Sequence, residues 1–190
     1  MSKMVARHLL AGMLAVAMLA LSPVSAPAQL FSFPEWYTLA NAAANNRNDE
    51  IAYMLRRGDN PNFVDPHGRT PISYVAALGS SEGLKLLLDN GARVDYRDGS
   101  GSTALHWAAE FGRSEVIRLL LKAKAPVDAA NKEGVTPLMM AAGANKPDAV
   151  RLLLEAGADA KKQDYTGRDA PAWAAGKANA LQALQMAHAR

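Results

Sequence analysis

Apolar positions along the chain fall into paired short runs that recur every 33 residues. Thr103-Ala104-Leu105-His106-Trp107-Ala108-Ala109-Glu110-Phe111-Gly112 leads into a second run from Arg113 to Lys122. The spacing predicts a short helix, a glycine turn and a second, amphipathic helix. Shifted by one period, the pattern returns upstream as Thr70-Pro71-Ile72-Ser73-Tyr74-Val75-Ala76-Ala77-Leu78-Gly79 and downstream as Thr136-Pro137-Leu138-Met139-Met140-Ala141-Ala142. The second helices agree in register through Leu86-Leu87-Leu88, Leu119-Leu120-Leu121 and Leu152-Leu153-Leu154, as do Gly68, Gly101, Gly134 and Gly167. A fixed period of this length predicts stacked supersecondary units.

Local chemistry supports the frame. Thr70, Thr103 and Thr136 suit helix N-caps, and Pro71 and Pro137 sit where a helix loses no amide bond. Alanine pairs let two helices approach closely. Glu82, Glu115 and Asp148 fall in the first turns of second helices, where the helix dipole favours acid. Gly58, Gly91 and Gly157 follow the leucine-rich helices, at positions that want a left-handed residue. Lys124 replaces glycine in the third unit, at a cost of about 1 kcal/mol. Asn46 and Asn145 fit the interhelix turn that Gly79 and Gly112 make elsewhere.

The fragments Thr-Pro-Leu and Leu-His-Trp-Ala-Ala resemble the Thr-Pro-Leu-His-x-Ala signature of the ankyrin repeat. The resemblance covers residues 37–190 as repeats of about 37–69, 70–102, 103–135, 136–168 and 169–190, with three strong units and two degraded ends. It implies an all-α solenoid of helix-turn-helix units with hairpin-like loops. It also implies that His106 braces neighbouring turns. Partners in this family meet a concave face formed by hairpin tips and first helices. On this sequence the tips are Pro66, His67 and Arg69; Ser100 and Ser102; Lys132, Glu133 and Val135; and Tyr165, Thr166 and Arg168. The first helices supply Tyr74, Trp107, Met140 and Trp173, each one period from the next, together with Glu110 and Phe111. Two readings of that row stand open: packing of repeat against repeat, or a contact patch of the residue types enriched at interfaces.

The N-terminus changes how charge and cysteine content are read. Lys3 and Arg7 precede an uncharged apolar run, Leu9 to Leu21, and then Ala26-Pro27-Ala28. This is the pattern of a secretory signal peptide cleaved after Ala28, and the run is too short to span a membrane. Residues 1–28 are therefore assigned as signal, and 29–36 as a segment that either caps the first repeat or meets a partner. Loss of Lys3 and Arg7 lowers the formal charge from +3 to +1, which removes an electrostatic case for nucleic acid. The chain has no cysteine, so neither a lipidated cysteine nor a disulfide enters the picture. The expected product is a monomer, periplasmic or secreted, with no membrane association after cleavage.

No catalytic, metal or cofactor motif emerges. His67, His106 and His188 form no closed ligand set, and no nucleophile elbow or phosphate loop is present. The expectation is a non-enzymatic protein-binding module without cofactors. By resemblance, its partner is a periplasmic enzyme such as a catalase; a secreted effector or immunity protein is the alternative.

Overall fold

The computed structural model describes residues 38–188. Ten helices and no strands occur among the described residues. They come in pairs: α1 (Leu39–Ala44) with α2 (Asn48–Arg56), α3 (Pro71–Leu78) with α4 (Ser81–Asp89), and α5 (Ala104–Glu110) with α6 (Ser114–Lys122). The series continues with α7 (Pro137–Gly143) and α8 (Pro147–Glu155), then α9 (Ala170–Trp173) and α10 (Ala178–His188). No helix among the described residues is long and apolar enough to cross a membrane. The predicted signal and the segment 29–36 lie outside the described residues.

First helices stack on first helices, and second on second, so each unit buries one apolar face against the next. The alanine pairs Ala42-Ala43, Ala108-Ala109 and Ala141-Ala142 are completely buried. Of each leucine triplet the middle member, Leu87, Leu120 or Leu153, is fully enclosed, and its neighbours cover the edges. The first helices pack through their small alanine pairs, and the second helices through their leucines.

Of the three threonines expected to cap first helices, Thr136 accepts the Met139 amide at 3.4 Å, as does Thr38 from Asn41 at 3.1 Å. Thr70 and Thr103 make no such bond: their hydroxyls lie against the side chains of Ser73 at 3.3 Å and His106 at 3.0 Å instead. Asn46 and Asn145 both take φ 54°, in the slot where Gly79 has 85° and Gly112 has 65°. Lys124 is also left-handed, at φ 66°, where the matching Gly58, Gly91 and Gly157 lie at 94°, 85° and 90°. The lysine has moved that turn into the narrow left-handed well open to residues with a Cβ.

His106 is completely buried and braces two units. The Thr103 amide donates to its Nδ1 at 3.0 Å, which leaves Nε2 as the donor to the Val135 carbonyl, also at 3.0 Å. Burial holds its pKa down at about 4, against the smaller opposing effect of the Val135 bond, so the ring is neutral. Met139 stands in the same place one unit later, and its sulfur takes the Thr136 amide at 3.4 Å.

Candidate functional site

Each hairpin is organised by one acidic or amide side chain at a period of 33 residues: Asp65, Asp98, Asn131 and Asp164. Asp98 shows the scheme. Its Oδ1 accepts from the Ser100 amide (2.9 Å), the Ser100 hydroxyl (2.6 Å) and the Ser102 amide (3.0 Å), closing a five-residue turn. The left-handed residue that the turn needs is Gly101, at φ 81°. Asp98 is 7% exposed, and its other oxygen accepts from the indole N–H of Trp107 at 2.9 Å.

The same tie recurs nine residues downstream of each aspartate. The Tyr74 hydroxyl donates to Asp65, and the Trp173 indole donates to Asp164 Oδ2 at 2.9 Å. Burial works against the charge on Asp164, but Thr166, the Arg168 amide and the Trp173 indole outweigh it and hold the carboxyl well below its usual range. Asp65 behaves alike: burial opposes its charge, yet bonds from Tyr74, Arg69 and His67 lower its pKa. Burial raises the Tyr74 pKa, and the bond to Asp65 adds to that. Asn131 and Met140 break the series; Asn131 gives its amide to Glu133 at 2.8 Å instead.

The row of Tyr74, Trp107, Met140 and Trp173 is thus half-buried, with three of its four members fastened by their polar edges to hairpins. The side chains of the row pack against the stack, and part of each faces out. Arginines lie on the aromatic faces. Arg69 sits 4.3 Å from the centre of Trp107 and 5.8 Å from that of Tyr74, and Arg168 sits 4.5 Å from Trp173. Such contacts stabilise by roughly 0.5–1 kcal/mol at exposed sites.

Five of the sequence-predicted residues, Ser100 among them, meet around one opening. His67, Arg69, Tyr74 and Trp107, with Asp98, Gly99 and Ser100, line a concavity of about 450 Å³ between the first two hairpins. Gly99 makes room for it, because Pro66, Lys132 and Tyr165 occupy the equivalent place in the other hairpins.

The remaining residues do other work. Lys132 bonds hairpin to hairpin, its ammonium to the Gly99 carbonyl at 2.7 Å and its amide to the Ser100 carbonyl at 3.0 Å. Tyr165 is 77% exposed; its amide reaches the Glu133 carbonyl at 3.0 Å while its ring lies over Gly134. Arg168 pairs with Asp164 at 3.0 Å. Glu110 is half-buried and Phe111 is 45% exposed beneath Arg113, one turn beyond Trp107 and away from the opening. Two expected tip residues, Ser102 and Val135, are buried: their amides turn inward to Asp98 and Asn131. No group of three or more His, Asp or Glu suited to a metal occurs among the described residues.

Paired helices, left-handed turns and aspartate-closed hairpins define a helical repeat solenoid. The family model for ankyrin repeats (three copies) matches residues 39–131 and 124–189, and the chain belongs to that family. Proteins built this way serve as modules for binding other proteins. No curated protein matches the chain.

Proposed function

We propose that this protein is an exported docking module that holds a partner protein against the face made by its hairpins and first helices. One observation carries the proposal: Tyr74, Trp107 and Trp173 are half-exposed aromatics whose polar edges are already bonded to Asp65, Asp98 and Asp164. Their orientations are fixed before a partner arrives. A surface ordered in advance loses less entropy on docking, so more of the contact energy becomes affinity. Tryptophan, tyrosine and arginine are also the residues that most often carry binding energy.

The signal-like pattern ending at Ala28 supports action in the periplasm or beyond it. Within this reading the partner is a periplasmic enzyme, a catalase being the candidate that the family resemblance suggests. The experiment is capture from a periplasmic fraction, followed by hydrogen exchange on the reconstituted complex. Protection confined to residues 65–74, 98–107 and 164–173 is the expected result. Protection confined to the second helices α4, α6 and α8 would overturn the choice of face.

A further inference from the structure

Two of the four hairpins end in an arginine, and the two side chains take different directions. Arg168 and Arg69 occupy the same place in the repeat, 99 residues apart. Arg168 turns back on its own hairpin, donating to Asp164 Oδ2 at 3.1 Å and to the Thr166 hydroxyl at 2.9 Å. Arg69 does not. Asp65 is taken up by the His67 and Arg69 amides, both at 2.9 Å, and by the Tyr74 hydroxyl. Asp98, the other carboxylate at the opening, is occupied by the Ser100 and Ser102 amides, the Ser100 hydroxyl and the Trp107 indole.

The Arg69 guanidinium instead leaves its own hairpin and lies on Trp107 of the next repeat, with Tyr74 on its flank. Among the described residues no carboxylate stands within ion-pair distance of it. A stacked guanidinium keeps its in-plane N–H groups at the rim of the ring, where they remain able to donate. Here that rim belongs to the 450 Å³ opening between the hairpins, which also holds His67 and the Ser100 side chain.

Resting on the docking reading above, we infer that this opening receives an acidic side chain, a glutamate or aspartate, projected by the partner protein. Arg69 is its receptor. The fork of a guanidinium matches a carboxylate in two parallel bonds, and the aromatic rings hold that fork in place so that little motion is lost on contact. Gly99 contributes no side chain to the lining of this opening. The Asp98 carboxylate makes no hydrogen bond to Arg69; its bonds are to Ser100, Ser102 and Trp107.

The test uses ¹⁵N-labelled protein and two blocked amino acids, N-acetyl-glutamate N-methylamide and its neutral isostere N-acetyl-glutamine N-methylamide. The glutamate probe is expected to shift the Arg69 Nε–H and Trp107 Nε1–H signals saturably, and the glutamine probe is not. Arg69→Gln should weaken the glutamate response by about ten- to a hundredfold, the range for bonds to a charged group. Arg69→Lys should fall between, keeping charge without the fork. Equal responses to both probes, or a response that survives Arg69→Gln, would overturn the inference. So would tighter binding of N-acetylglycine, which would make the ligand a chain terminus. Partner capture separates the two readings. If a folded Trp107→Ala protein loses the partner while Arg69→Gln keeps it fully, the acidic-anchor inference falls and the docking face stands. If both keep it fully, both fall.

Discussion

Acidification should strip stability from this protein in a window set by one residue, His106. The ring is enclosed, neutral, and held between the Thr103 amide and the Val135 carbonyl, with its pKa lowered from 6.5 to about 4. Above pH 6.5 folded and unfolded chains carry the same charge at this site, and its bonds contribute in full. As pH falls from 6.5 toward 4 the unfolded chain takes up a proton that the folded one refuses, so stability is lost on acidification. The size of the shift corresponds to about 3 kcal/mol. His106→Met is the right comparison, because Met139 already fills that place one repeat later. At pH 8 the variant should be less stable by about 1–3 kcal/mol, since the buried Val135 carbonyl loses its donor. On acidification the wild type loses this contribution and the variant has none to lose, so the two stabilities from urea unfolding should converge and then cross between about pH 4 and 6. Asp65 and Asp164 also have lowered pKa values; their contributions are lost as pH falls through the ordinary carboxylate range and below it, in both proteins alike, so they cancel in the difference. A stability difference that stays constant from pH 8 to pH 4 would refute the account of His106.

Other expectations are simpler to check. Lys124→Gly should raise the urea midpoint slightly, because the gain of about 1 kcal/mol from relieving a left-handed lysine is largely offset by a freer unfolded chain; a lower midpoint would contradict it. Gly134→Ala should destabilise by roughly 2 kcal/mol in a thermal melt: its φ is 80° and the added carbon would lie 2.9 Å from the Tyr165 amide that joins the hairpins. An unchanged melt would contradict that. Intact-mass measurement of the exported protein should find Gln29 at its start, and retention of Leu9 to Leu21 would contradict the export proposal.

Much of the fold was legible because a period is easy to see in one dimension. The alanine pairs, the leucine triplets and the left-handed turns at Asn46, Asn145 and Lys124 all follow from alignment of one repeat on the next. The architecture of the face was harder to read. The aromatic row was visible, and so was a row of aspartates at the same period, but their pairing depends on a hairpin folding residue i onto residue i+9. Had Asp65–Tyr74, Asp98–Trp107 and Asp164–Trp173 been matched by that spacing, the signal was present. Ser102 and Val135 looked like tip residues for the same reason: the caps that turn their amides inward belong to side chains four positions earlier. The opening at Gly99 comes from a missing side chain, which periodicity does not mark.

The most direct test of the docking face is the affinity of the captured partner for Trp107→Ala, measured beside the unfolding midpoint of the variant. Trp107 touches the opening, carries Arg69 on its ring and is tied to Asp98. Glu115→Ala, exposed on the second-helix side, serves as the control. The account predicts a loss of at least about 2 kcal/mol in binding for a Trp107→Ala protein that remains folded, with the control unchanged. A folded Trp107→Ala protein that binds with wild-type affinity would contradict it.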